Sequence, residues 1–314
     1  MNHLSFYWLP ENRELIEKGI ESEFTHFLEN SIDSGKITLP PIPEVVLNIQ
    51  RLCSLDCTTI FDIADCLIFD IADCLVEDPG LAAVVIRVAN SVIFNRRNIE
   101  CTDIVTAVSR LGILRVRDIV TAQSIEQLKN SVNLSDDCNR ILRKSARTSK
   151  ELSATMVMVA KEFKQAAPQQ YQYLDSDKAL LTGLLADIGL FCIVNEYYLY
   201  LERGNYLDPD LALRIFNSIC PAASKLVLSK WGFDRDFIDV ATNQDHQQLD
   251  LEVNYLDIAR IANHILMFRR KDDRLDEHEI EIDVTGADIL YKLTNLGDSE
   301  FTLKINELIR ASGL

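Results

Sequence analysis

Residues 180–191 read LLTGLLADIGLF, an apolar run holding one carboxylate, Asp187. With its flanks, from 175 to 198, the stretch contains no proline and is too long for a strand. It reads as a helix that is apolar on every side and therefore buried. Such a helix needs other helices around it, and its carboxylate needs hydrogen-bond or ion-pair partners inside the fold. Gly189 reads as a point of close helix packing.

The rest of the composition agrees with a helical protein. Eleven glycines and eight prolines in 314 residues are few for a chain of this length. The length allows one large domain or two modest ones, either with a substantial core. The net charge of −16 disfavours nucleic acid as a partner, because phosphate contacts need clustered Lys and Arg. The basic group Arg269-Arg270-Lys271 is followed at once by Asp272-Asp273, so its field is local. No apolar run reaches the roughly 18 residues of a spanning helix. The first residues lack a basic-then-apolar signal pattern. A soluble cytoplasmic protein, not inserted in a membrane, is the expectation. Eight cysteines are scattered with no C-x-x-C pair, and are expected to be buried thiols.

Punctuation divides the chain. Residues 10–35 carry apolar positions at helical spacing, from Leu15 to Ile32, with Gly35 at the expected C-cap. Leu39-Pro40-Pro41-Ile42-Pro43 forces extended backbone, and Pro43 suits the first turn of the next helix. Residues 61–68 (FDIADCLI) and 69–76 (FDIADCLV) repeat at seven of eight positions. Eight residues advance a helix by about 12 Å and rotate it by roughly 80°. The repeat is therefore either one longer helix with a wide apolar face, or a helix with one copy looped out. Asp78-Pro79 opens a further helix that Asn90-Ser91 end, and helices over 102–111 and 114–128 follow. Residues 130–137 read as a linker. Helices are predicted over 138–165, 175–198, 208–217, 220–231, 234–245 and 252–270. A charged loop over 271–283 and short helices near 286–295 and 299–311 close the chain.

An ordered set of segments then carries a resemblance: LPPIPEVV, EDPGLAAVVIRVANS, AVSRLGILRVRDIV, GLLADIG, KWGF, and Asp245-His246. Over roughly residues 36–270 the chain resembles the HDOD family, the HD-related output domains of bacterial signalling proteins. The resemblance implies an all-α fold, in which an N-terminal helical half (36–130) packs on a degenerate HD-type helical half (138–270). Residues 1–35 are then an N-terminal helical arm, and 271–314 a charged loop with C-terminal helices.

The same resemblance bears on chemistry. The HD superfamily holds metal with a histidine, an adjacent His-Asp pair and a later aspartate. Carried over, those positions are Lys144, Ala186, Asp187 and Asn263, with His246 a nearby candidate ligand. Only Asp187 keeps its family residue. An ammonium at Lys144 repels a cation and Asn263 offers no charge, so no metal and no cofactor are expected, and catalytic residues are assigned to none. A Lys144–Asp187 ion pair is a candidate to fill the metal's place. Arg87, Asn90, Ser91 and Arg110 form a second polar group, read either as an anion clamp or as helix caps and contacts between the two halves. The resulting expectation is a non-catalytic signal-transduction module that acts through protein partners. The alternatives are a residual metal-dependent phosphohydrolase with atypical ligands, using a divalent metal, and a small-molecule sensor.

Overall fold

The structure is a computed structural model. It describes residues 23–40, 43–53, 61–91, 94–95, 99–130, 134–244, 252–272, 275 and 282–311, with the backbone alone at 61–66, 129–130 and 311. The start of the expected 10–35 helix, residues 245–251 with Asp245 and His246, and most of the 273–281 loop lie outside the described residues. Every regular element described is a helix. The chain forms two compact units, one of residues 1–40 and 129–301, the other of 41–128 and 302–314.

The second unit is built on α2 (Glu44–Cys53), α3 (Phe61–Val76), α4 (Pro79–Ala89), α5 (Ile104–Leu111) and α6 (Ile113–Asn130). Local chemistry sets these boundaries. The Asp78 carboxylate accepts from the Gly80 and Leu81 amides, and Pro79 takes the first position of α4. The Asp103 carboxylate caps α5 through the Thr106 amide. Gly112, at φ 85°, separates α5 from α6 in a conformation that favours glycine. Val46, Ile49, Ile71, Leu75, Leu81, Val85, Val108 and Val116 make the core. The tandem repeat is one unbroken helix, α3.

The first unit holds α1 (Glu23–Asp33), α7 (Asp136–Ala166), α8 (Ser176–Leu185), α9 (Gly189–Glu202), α10 (Pro209–Lys230), α11 (Arg235–Thr242), α12 (Tyr255–Arg270), α13 (Val284–Thr294) and the start of α14 (Asp298–Ala311). Helix α1 ends as expected at Gly35. The Lys36 amide bonds to Ser31 and the Gly35 amide to Ile32, the paired bonds of a left-handed glycine stop. Its Phe24 ring packs on Tyr197 and Tyr200 of α9, with centroids 5.9 and 5.0 Å away. Helix α7 lies along α8 and α12. Burial pushes the Cys192 thiol on α9 up to about 12, with the Glu196 charge adding to the effect, in keeping with a structural thiol.

Three expectations about helices are corrected. The helix expected over 175–198 is two, α8 and α9, broken at residues 186–188. The helices expected over 208–217 and 220–231 are one, α10, which runs through Pro221. An interior proline costs about 3 kcal/mol. Burial of Ile215, Phe216, Ile219, Val227 and Leu228 around it, at about 1.5–3 kcal/mol for each large side chain, outweighs that. Third, the segments 176–202 and 209–230 are long and apolar enough to cross a membrane by length and composition. In the first, 89% of the apolar window is buried inside the protein, as in a core helix; in the second, 50% of the window is buried.

Candidate functional site

The break between α8 and α9 places Asp187. Around it the backbone tightens to i→i−3 bonds, Ile188 to Leu185, Leu190 to Asp187 and Phe191 to Ile188. The Gly189 amide donates instead to the Ser224 hydroxyl on α10, at 2.9 Å. Two glycines allow this closeness. A Cβ on Gly189 would lie 2.3 Å from the Ser224 amide nitrogen, and one on Gly183 would lie 2.6 Å from the Ser153 Cα of α7. Gly189 is thus the close packing point that the sequence suggested.

Asp187 is fully buried. Its carboxylate oxygens are met by two hydroxyls of α7, one on each oxygen. Ser145 Oγ donates to Oδ2, and Ser149 Oγ lies 2.8 Å from Oδ1. Ser149 Oγ is also 2.9 Å from the Ser145 carbonyl, so its proton is shared between two acceptors or alternates between them. Cys220 Sγ approaches the Asp187 carbonyl at 3.9 Å. Ser145 and Ser149 were not singled out in the sequence. The available signal was their i, i+4 spacing on the α7 face that also carries the buried Leu142 and Leu152.

The other carried-over positions fare differently. Lys144 is exposed, and Ser145, its neighbour in sequence, is the α7 residue that turns to the carboxylate. The expected filling of the metal's place by a Lys144 ammonium is therefore replaced by serine hydroxyls. The cause is helical phase, because one residue along a helix is a rotation of about 100°. Asn263 is buried on α12, where its amide nitrogen lies 3.4 Å from Met267 Sδ. Ala186 is buried and has no donor atom on its side chain.

A divalent metal does not fit this donor set. Zinc takes about four nitrogen, sulfur or oxygen ligands, and harder cations about six oxygens. At Asp187 both oxygens already accept from hydroxyls, the neighbouring position is alanine, and the α7 position facing it is serine. Among the described residues no three His, Cys, Asp or Glu side chains cluster so as to hold a metal ion.

A second polar group, which the sequence had not brought out, joins the N-terminal ends of three helices. Lys178 of α8 bonds Asp234 at 2.8 Å and also Asp236, at the start of α11, and its ammonium stands 5.1 Å from the Tyr255 ring centroid of α12. Tyr255 Oη accepts the Asp175 amide at 2.7 Å. Burial acts to lower the Lys178 pKa, but the two carboxylates more than offset it, so the net direction is upward. Burial pushes the Tyr255 phenol up to about 12. The group is internally satisfied and ties α8, α11 and α12 together.

The arginine–asparagine group of the N-terminal half is partly assembled. The Asn90 side chain exchanges two bonds of 2.7 Å with the backbone of Cys101. Arg110 donates to the carbonyls of Ala89 at 3.1 Å and Ile99 at 3.0 Å. These bonds fasten the end of α4 to the segment before α5, and their acceptors, backbone carbonyls and the Asn90 side-chain oxygen, belong to the same unit. Ser91 Oγ is buried with no hydrogen-bond partner among the described residues, and Arg87 is exposed. Arg110→Ala is expected to cost about 1–2 kcal/mol, since two carbonyls lose a charged donor at a partly exposed site. Thermal denaturation measures it, and an unchanged melting temperature would show the clasp to be idle.

These features define an all-helical protein with a fully buried carboxylate, Asp187, held by two serine hydroxyls at a break between helices. The HDOD domain family model matches residues 39–247, two thirds of the chain, and the chain belongs to the HDOD family. A candidate metal-dependent phosphohydrolase from Shewanella amazonensis SB2B has a similar structure, with a TM-score of 0.70 at 20% identity over 92% of this chain and 98% of that one. A second candidate phosphohydrolase from the same organism gives 0.54 at 19% identity, over 93% and 99%. An HDOD domain protein from Geobacter sulfurreducens gives 0.51 at 19%, over 93% and 98%. At these identities the likeness shows the fold alone. No curated protein matches the chain.

Proposed function

We propose that this HDOD protein is a non-catalytic signal-transduction or regulatory module of the cytoplasm that works through contacts with protein partners. The observation that carries the reading is the state of Asp187. The one family ligand that remains is held by Ser145 and Ser149, with alanine beside it, so its oxygens are engaged in joining helices. Among the described residues no cluster of further metal ligands joins it, and one carboxylate alone does not hold a metal that would activate water. What the fold then offers is its surface and the arrangement of its helices.

The test is direct. The purified protein is titrated with Mn²⁺ and Mg²⁺ by calorimetry and assayed against bis(p-nitrophenyl) phosphate. The expected result is no saturable heat at micromolar metal and no turnover above buffer, in the parent and in Asp187→Asn alike. Manganese-dependent turnover that Asp187→Asn abolishes would make the protein a residual phosphohydrolase instead.

A further inference from the structure

The tandem repeat in α3 has no part in the site. Read one residue earlier, it is perfect: residues 60–67 and 68–75 both spell IFDIADCL. Helix α3 is continuous from Phe61 to Val76, so residues 61–75 of the two copies follow one another along a single helix. The core of the N-terminal half takes the second copy. Ile71, Ala72 and Leu75 are buried there, with Ile68 and Cys74 packed partly against them. Asp70 and Asp73 face outward, as does Phe69.

We propose that α3 is a two-register element, in which the seat filled by residues 68–75 also accepts residues 60–67. In the second register Ile63, Ala64, Cys66 and Leu67 take the places of Ile71, Ala72, Cys74 and Leu75. Because the residues are the same in the same order, the side-chain contacts of the seat are reproduced one for one. The shift is a screw motion of about 12 Å and roughly 80°, or a local melting and reforming of the helix. It moves eight residues from the α2 side of the seat to the α4 side.

The two registers differ only outside the seat. Leu67, buried ahead of the seat in the described register, gives way to Thr59 in the second, which favours the described one. The eight displaced residues also leave a helix. Each helical residue multiplies the weight by about 1–1.6, so eight contribute at most about 40-fold. The second register is thus a minor state that a modest difference in a partner's affinity can raise. Register shifts of one element past another are an established way for a domain to hold two states.

The test places an aspartate in the seat. In Ile71→Asp the second copy no longer fits, and the first is expected to replace it. The variant should unfold in one cooperative transition, with Cys74, half-buried in the parent, alkylated about tenfold faster, read by mass spectrometry after a brief pulse. Buried Cys138 and Cys192 report that the rest of the chain is folded. The double variant Ile63→Asp/Ile71→Asp leaves no copy to seat and should lose the cooperative transition of that half. If Ile71→Asp is damaged as much as the double, or folds with Cys74 still protected, the seat has one occupant and the proposal is overturned. Any pattern other than a folded single variant with Cys74 released has the same consequence.

Discussion

Gly189→Ala should destabilise the protein by about 3 kcal/mol, the upper part of the range for overpacking a close-packed interior. The added methyl would stand 2.3 Å from the Ser224 amide nitrogen, 2.7 Å from the Ala223 carbonyl carbon and 2.8 Å from the Ala223 Cβ. Two of these three atoms are backbone, so rotating a side chain gives no relief. Relief requires α9 to move away from α10, which stretches the Gly189 amide to Ser224 hydroxyl bond and opens the Tyr197–Phe216 ring contact between the same helices. At about 2–4 °C per kcal/mol for a unit of this size, the melting temperature should fall by about 6–12 °C. Gly183→Ala meets the Ser153 Cα at 2.6 Å and the Met156 sulfur at 2.9 Å, and should behave similarly, since only the methionine can yield. A Gly189→Ala protein that melts within about 2 °C of the parent would mean that the two helices are not in the contact described.

This contact also shows what the sequence can and cannot reveal. That the chain is helical follows from patterning. The helix start at Asp78-Pro79 and the stop at Gly35 are local chemistry, and they appear where local chemistry put them. Breaks and joins that depend on tertiary contacts were read wrongly. LLADIGLF contains no breaker strong enough to end a helix, and the interruption at 186–188 accompanies the capture of the Gly189 amide by Ser224, which is 35 residues away. Pro221 is a strong local breaker, yet α10 continues through it because the apolar side chains on both sides are buried together. In each case a long-range contact outweighed a local preference.

The candidate site divides in the same way. Asp187, with alanine before it, could be found by motif alone, and so could the expectation that a buried carboxylate has partners. Which residues those partners are is a question of helical phase on α7, and Lys144 differs from Ser145 by about 100°. Residue type argued for the lysine, since a charge attracts a charge. Burial decides for the serines, because a hydroxyl is far cheaper to desolvate than an ammonium and can still donate to the carboxylate.

The partnership of Asp187 with two serines therefore sets the second large effect. Ser145→Ala/Ser149→Ala leaves a fully buried carboxylate without two of its donors, and should cost about 3–5 kcal/mol, as breaking a buried charged pair from one side does. Asp187→Leu alone should cost less, about 1–3 kcal/mol. The serine hydroxyls then lose an acceptor, but Ser149 still has the Ser145 carbonyl at 2.9 Å. The triple variant Ser145→Ala/Ser149→Ala/Asp187→Leu makes the site apolar throughout, and should recover most of the loss of the double. The signature is this non-additivity: summing the separate effects predicts a triple variant worse than either, and the geometry predicts one better than the serine double. Urea denaturation of the parent and these three variants measures it. Chelator and added Mn²⁺ serve as the control, since binding to the native state would raise stability by mass action. If the three substitutions simply add, or if Mn²⁺ stabilises the parent and not Asp187→Leu, the carboxylate serves a ligand and not the junction of α7 with the α8–α9 break.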